Sequence, residues 1–418
     1  MKRLESIDKM TRVNFLNTMK PRILILMHYM ELGGAESALL GLLLSIDPAR
    51  VDVDVFLYDH RGELMKYIPT DKVRLLPEVT AYRMIERPFM ECLKSGQLGV
   101  ALGRWLAKKT VDKSPVPEGK SDIRIFSRVA DCVEWCMPKI QPQIEYDLAI
   151  SFLMPHNYVI KKVRAKKKLG WIHTDYSTVY VDVKRELPMW NQLDYIASIS
   201  DEVGQKFVET FPTLKDKIIS IENILSSTFI RQRAEEETVS LNSRPSTIKL
   251  LTIGRFSYPK KMEEIPLICK KMVDDGLDVK WFIIGYGSEE IERTVRENAE
   301  KEGVVDKVVI LGKKENPYPY IKACDIYVQP SRYEGKSITV REAQILYKPV
   351  IITNYPTAKS QVMDGVDGVI VPMEVDECAS EMADFISNVE KRNGIIHYLE
   401  THDYGNEQEV NKIYDLLR

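Results

Sequence analysis

Two glutamates, Glu334 and Glu342, stand in an E-x7-E spacing that begins inside Pro330-Ser331-Arg332-Tyr333-Glu334-Gly335-Lys336-Ser337. The segment follows an apolar run at 326–329 that reads as a strand. Ser337 can cap a helix beginning at Ile338, whose exposed N–H groups and dipole make an anion site. Glu342 lies one to two turns into that helix, with its side chain leaning back toward the N-terminus. A carboxylate, a phosphate-binding helix end and a second carboxylate thus follow one another in one short segment. That set suits a sugar hydroxyl, a diphosphate and a ribose diol. The spacing alone is common, and two surface glutamates near a helix start would satisfy it; its place after a PSRxEG turn is what makes it specific.

A second group, Gly254-Arg255-Phe256-Ser257-Tyr258-Pro259-Lys260, ends the apolar run at 248–253. Gly254 lets the backbone turn close to a ligand. Arg255 offers a bidentate fork and Lys260 a point charge, the positive charge a departing diphosphate needs where no carboxylate cluster suggests a metal. Gly285-Tyr286-Gly287-Ser288 is a short GxG turn after another strand, a weak signal by itself. Gly33-Gly34 precede a helix and bring backbone amides near an anion, or simply make a tight turn. His173, at the end of a strand in the first half, is expected to face a cleft and bond a sugar hydroxyl or a phosphate. The other histidines (His28, His60, His156, His397, His402) form no metal-like pair.

These residues need elements to position them. Short aliphatic runs at 22–28, 51–58, 148–152, 168–172 and 195–199 alternate with amphipathic stretches such as 35–46 and 201–210. A second series of runs at 248–253, 279–284, 308–311, 326–329, 350–353 and 368–371 does the same. The alternation predicts α/β architecture with parallel sheets, in two Rossmann-like doubly wound domains facing across a cleft. Ligands of such sheets bind beyond the carboxyl ends of the strands, where the residues above lie. The expected division is a domain over 1–225, with a leader at 1–18 and an insertion at 81–140, then a polar linker at 226–247. A second domain spans 248–400, and a helix at 401–418 packs back on the first. The insertion holds Phe89, Leu93, Leu98, Val100, Leu102, Trp105 and Leu106 among basic residues, either core or a surface for membrane or partner.

A chain of 418 residues suits two domains of roughly 200 residues. The 44% hydrophobic and 29% charged content is that of a globular protein. Six scattered cysteines, with only Cys132 and Cys136 close, read as reduced thiols rather than a zinc site. No segment approaches the roughly 18 apolar residues of a membrane helix, and residues 1–20 lack the pattern of a signal peptide. The net charge is −2. The basic run at 161–168 reads as a solvated loop or an anion-facing patch, too weak a bias for nucleic acid.

The order GRFSYPK, GYG, GKKENPYPYIKACDIYVQPSRYEGKSITVREA, KPVIITN resembles glycosyltransferase family 4, the retaining GT-B enzymes. HYMELGGAESAL is similar to bacterial surface-polysaccharide members. The resemblance implies that the C-terminal domain holds the nucleotide-sugar, that Glu334 faces the donor sugar and that Glu342 grips the ribose. It further implies that Arg255 and Lys260 hold the diphosphate and that His173 is the N-domain cleft histidine. The resulting expectation is a retaining, metal-independent hexosyltransferase with no cofactor. Its donor would be a nucleoside diphosphate sugar, UDP-linked by preference. Its acceptor would be a glycan or a lipid-linked saccharide in surface polysaccharide (capsule) synthesis, in the cytoplasm or at the inner membrane face. Lys336 and Ser337 depart from the family's usual residues, as do Tyr355-Pro356-Thr357 and Gln361, which leaves the sugar open. The rivals are a non-catalytic nucleotide-sugar- or glycan-binding subunit and a nucleotide-sugar 2-epimerase; the latter would want more cleft carboxylates and histidines.

Overall fold

The computed structural model describes residues 20–118 and 120–418; the expected leader at 1–18 lies outside them. The chain divides into two compact units, one reaching to Glu222 and including Gln408–Arg418, the other Asn223–Glu407.

The first unit is built on a parallel sheet. In chain order its strands are β1 (Arg22–Met27), β2 (Asp52–Leu57), β3 (Arg74–Leu75), β4 (Ser121–Asp122), β5 (Tyr146–Ser151), β6 (Ala165–Ile172), β7 (Val179–Tyr180), β8 (Tyr195–Ser198) and β9 (Ile218–Ser220). Seven form one sheet in the order β3-β2-β1-β5-β6-β8-β9, and β4 pairs with β7. The central strand β1, RILILM, is apolar throughout after its first residue because both its faces are covered. The helix Asp201–Thr210 starts where Ser200 accepts a bond from the Val203 N–H, with Asp201 and Glu202 in its first turn.

The second unit holds β10 (Ile248–Ile253), β11 (Val279–Ile284), β12 (Val308–Gly312), β13 (Ile326–Gln329), β14 (Val350–Thr353) and β15 (Val369–Val371), all parallel, in the order β12-β11-β10-β13-β14-β15. The order reverses direction between β10 and β13. Inside this sheet the buried Trp281 indole N–H donates to Thr252 Oγ1 (2.9 Å), whose hydroxyl donates to the Val328 carbonyl (2.7 Å). Three adjacent strands are thereby tied below the site, with no polar atom of the group left unpaired.

Three segments differ from expectation. The expected linker carries a helix, Ser227–Ala234, whose Ile230 and Ala234 are buried with Leu241 in the core of the second unit. Its two buried apolar residues sit one turn apart among Arg231, Arg233 and three glutamates, so the apolar periodicity is too short to stand out. The second half of the basic run lies in β6: Lys166 pairs with Asp147 (2.7 Å), Lys168 Nζ donates to the Ile160 carbonyl (2.6 Å), and Lys167 Nζ donates to the Leu416 carbonyl (2.7 Å). The charges of these three lysines are therefore used within the unit. At the C-terminus the helix Val389–Thr401 is followed by a separate helix, Val410–Asp415, in the first unit, where Tyr414 OH accepts from the Asp47 N–H (2.9 Å). In the insertion, Val100 is buried while Phe89, Leu98, Leu102, Trp105 and Leu106 are exposed, so for these five a core role is excluded. No helix among the described residues is long and apolar enough to cross a membrane.

Candidate active site

The reversal between β10 and β13 makes a topological switch point, where loops from adjacent strands leave in opposite directions and open a crevice at their carboxyl ends. The GRFSYPK loop leaves β10 and the PSRYEGKS loop leaves β13. Lys260 and Glu334 meet there, Nζ to Oε1 at 2.6 Å. The same Oε1 accepts from the Ser331 hydroxyl (2.6 Å) and the Gln329 amide (3.1 Å). A carboxylate whose side chain is only 11% exposed is thus held by one cation and two neutral donors.

Arg332 fastens the two loops together. Its N–H donates to the Pro259 carbonyl (2.7 Å), its guanidinium to the Tyr258 carbonyl (2.7 Å), and it pairs with Glu263 (2.7 Å) and Glu264 (3.1 Å). Thr353 Oγ1 donates to the Ser331 carbonyl (2.5 Å) and Thr357 Oγ1 to the Glu334 carbonyl (3.0 Å). Sequence reasoning gave no role to Gln329, Ser331 or Arg332. The signal available was their position, since all three lie at the end of β13 or just beyond it.

The glycines serve the backbone first. An added Cβ on Gly285 would lie 1.9 Å from the Gly254 carbonyl oxygen. One on Gly287, at φ 150°, would lie 2.6 Å from the Phe256 carbonyl oxygen. The two loops are laced by Phe256 N–H to the Tyr286 carbonyl (3.0 Å) and Ser288 N–H to the Phe256 carbonyl (2.9 Å). What comes close to Gly285 is therefore neighbouring main chain, whereas a Cβ on Gly254 would meet the Met262 and Lys260 side chains at 3.0 and 3.5 Å. Gly285→Ala should push these loops apart and destabilise the second unit by ~1–3 kcal/mol, an overpacking cost. A urea midpoint equal to that of the unaltered protein would refute that reading.

Ser337 does take the N-cap position of the helix Ile338–Ile345, but its hydroxyl makes no capping bond. It turns to Thr339 Oγ1 (3.1 Å). The Ser337 peptide is clamped by Gln361, whose Oε1 accepts the Ser337 N–H (3.0 Å) and whose amide donates to the Ser337 carbonyl. Tyr355 OH donates to the same Gln361 oxygen (3.0 Å). Ile338 is half-buried. Arg255 is exposed on the β10 loop. Glu342 is 3% exposed and accepts from Tyr318 OH (3.0 Å). Burial pushes its carboxyl up to about 7, partly offset by that hydrogen bond.

In the first unit, Gly33 is the N-cap of the helix Gly34–Ser45. A Cβ on Gly33 would lie 2.2 Å from Glu36 Oε2. The helix's own buried first-turn carboxylate therefore sits over the position expected to receive an anion. His173 follows β6 and packs its ring on Phe152 (4.6 Å) and Trp171 (5.8 Å). His156 is fully buried with Nδ1 2.9 Å from Ser151 Oγ; burial first, then the nearby His173, lowers its imidazole to about 3. His28, given no role from sequence, lies just after β1 with Nδ1 2.5 Å from Glu86 Oε1 and Nε2 2.6 Å from the Met154 carbonyl.

Residues 234–401 match the family model for glycosyl transferases group 1. The chain is 26% identical over 171 residues to an uncharacterized glycosyltransferase of Methanocaldococcus jannaschii, covering 40% of this chain and 42% of that one. It is 24% identical over 172 residues to the amylovoran biosynthesis glycosyltransferase AmsD of Erwinia amylovora, covering 40% and 48%. The chain thus matches less than half the length of these relatives. Among solved structures, HepE of Anabaena in complex with UDP and glucose is similar at a TM-score of 0.63 and 16% identity, over 95% of this chain and 99% of that one. The fold is GT-B, and the stretch that matches the glycosyl transferases group 1 model carries Arg255, Lys260, Glu334 and Glu342.

Proposed function

We propose that the protein is a glycosyltransferase that moves a sugar from a nucleoside diphosphate sugar to a saccharide or lipid-linked saccharide. The observation that carries this reading is the Lys260–Glu334 pair at the switch point, beside the helix end at Ser337. Lys260 and the exposed Arg255 supply positive charge to the diphosphate as the bond to the anomeric carbon loosens. Glu334 takes a donor-sugar hydroxyl, and Glu342 accepts the ribose diol. Gly254, Gly285 and Gly287 keep the loop backbones low enough for the donor to lie across them. Amides of the first turn after Ser337 and Ile338 face the phosphates.

The reaction retains configuration and needs no metal. The bond between the anomeric carbon and the leaving phosphate oxygen breaks, and the acceptor oxygen bonds to that carbon on the same face. The acceptor proton passes to the departing phosphate oxygen. Glu334 is a positioning group in this scheme, not a nucleophile. Gly33, Gly34 and His173 belong to the acceptor side, with Glu36 limiting how far an anion can approach the Gly33 end. UDP is the favoured nucleotide: HepE was solved with UDP and glucose. Surface polysaccharide is the favoured product, since AmsD acts in amylovoran biosynthesis.

Thermal shift against UDP-, GDP-, ADP- and dTDP-sugars tests the donor site, because a ligand of the native state raises apparent stability. One nucleotide should stand out. Failure of all four to shift the melting temperature would remove the proposed donor site. Product NMR and activity in the presence of a chelator then read the configuration and the metal requirement.

A further inference from the structure

The insertion between β3 and β5 presents a helix whose large side chains face outward. The helix Leu98–Thr110 has two differently built sides. Gly99, Gly103 and Ala107, one turn apart each, line the side packed on the helix Arg124–Val133 and the turn Glu134–Cys136. A Cβ on Gly99 would lie 2.8 Å from Cys136 Cβ, and one on Gly103 2.6 Å from the Cys132 carbonyl oxygen. The solvent-facing side carries Leu98, Leu102, Trp105 and Leu106, whose i, i+4, i+7, i+8 spacing makes one stripe. Their exposures run from 41% to 65%. Trp135, 67% exposed, adjoins them: its ring would lie 3.3 Å from a Cβ on Gly99.

An amphipathic helix of a water-soluble domain normally turns such a stripe inward. A contiguous outward patch rimmed by charge marks an interaction surface. The charge here selects the occupant. The helix carries Arg104, Lys108 and Lys109 and no acid. Lys109 Nζ lies 5.9 Å from the Trp105 ring, and exposed Lys94 and Lys113 flank the helix in sequence. Leucines and tryptophans on one side, with long basic side chains able to reach upward at their border, are what an anionic lipid surface takes up.

We infer that this face docks on an anionic bilayer. The Leu98–Thr110 helix lies in the interface, with Leu98, Leu102, Trp105, Leu106 and Trp135 immersed and Lys108 and Lys109 at headgroup level. Each such cation near the surface adds attraction to anionic headgroups. The inference does not depend on the transferase reading; together they would hold the enzyme where lipid-linked acceptors are.

The test is co-sedimentation of the full chain with vesicles of phosphatidylcholine alone and of phosphatidylcholine with phosphatidylglycerol in equal parts. Brominated acyl chains report depth. Trp171, Trp190 and Trp281 are buried, so quenching would come from Trp105 and Trp135. Binding should be about tenfold or more tighter to the anionic vesicles, with quenching. Leu102→Glu with Trp105→Glu should abolish binding and leave the melting temperature and the donor-induced shift unaltered. Lys108→Glu with Lys109→Glu should erase the preference for phosphatidylglycerol. Three results would overturn the inference: no binding to either vesicle, Leu102→Glu/Trp105→Glu binding like the wild type, or a lipid-free dimer that this variant dissociates without loss of vesicle binding. The last would make the face a contact between copies of the chain.

Discussion

Lys260→Ala is expected to lower turnover by ~10²–10³-fold, the usual cost of removing one preorganised charge partner of a developing oxyanion. The fold should survive the change. Glu334 loses its cation but keeps the Ser331 hydroxyl and the Gln329 amide on the same oxygen. The Arg332 bonds that tie the loops do not involve Lys260. Lys260 also has to exchange partners to meet a diphosphate, since its ammonium is held by Glu334. Part of its attraction for the ground-state diphosphate is therefore spent on leaving that carboxylate. Its effect should fall mainly on turnover, with a smaller change in donor affinity. Steady-state rates with donor affinity measured separately by calorimetry would decide it; unchanged turnover would exclude Lys260 from the chemistry.

The second large effect concerns Glu342 and pH. Burial raises its carboxyl to about 7. A protonated carboxyl offers one hydroxyl where the ribose diol wants acceptors, so donor binding should weaken as pH falls through 7. Glu342→Gln should bind donor about tenfold more weakly at pH 8, the loss of one good hydrogen-bonding group to a charged acceptor, and show little pH dependence. The stability sign is opposite. The folded state holds the proton more tightly than the unfolded chain, whose carboxyl titrates near 4.5. This group's contribution is full below that value, declines as pH rises to about 7 and is flat above. The total is roughly 3 kcal/mol. Glu186, buried in the first unit and also raised to about 7, adds a slope of the same sign. The informative quantity is therefore the difference between wild type and Glu342→Gln in urea midpoints across pH 5–8. Parallel curves would show that Glu342 is not the titrating group.

Much of the second unit was readable in the chain itself. The strands at 248–253, 279–284, 326–329 and 350–353 were placed to the residue, because strands covered on both faces must be apolar runs and their ends are marked by Gly, Pro or charge. The charge and carboxylate of the candidate site were visible in GRFSYPK and PSRYEGKS for the same reason: both loops follow such strands. Short or shielded features were not readable. The Ser227–Ala234 helix buries only two apolar residues, Ile230 and Ala234, on a polar background. The outward stripe at Leu98–Leu106 has the periodicity of a core helix, and only the packing of Gly99 and Gly103 shows which side is buried.

What the amino-acid order determined by itself was the class of fold and the residue types at each strand end. It could not decide who meets whom. Lys260 and Glu334 are 74 residues apart, and they touch because β13 pairs with β10 instead of continuing beyond β12. That pairing is a choice of the whole sheet, made by how the helices cover its two faces. Only the tertiary structure decided that Glu342 is buried beneath Tyr318 and that Glu36 lies over Gly33. It also decided that Gln361, and not the Ser337 hydroxyl, holds the helix end. Such contacts depend on three-dimensional distance, which local propensity does not encode.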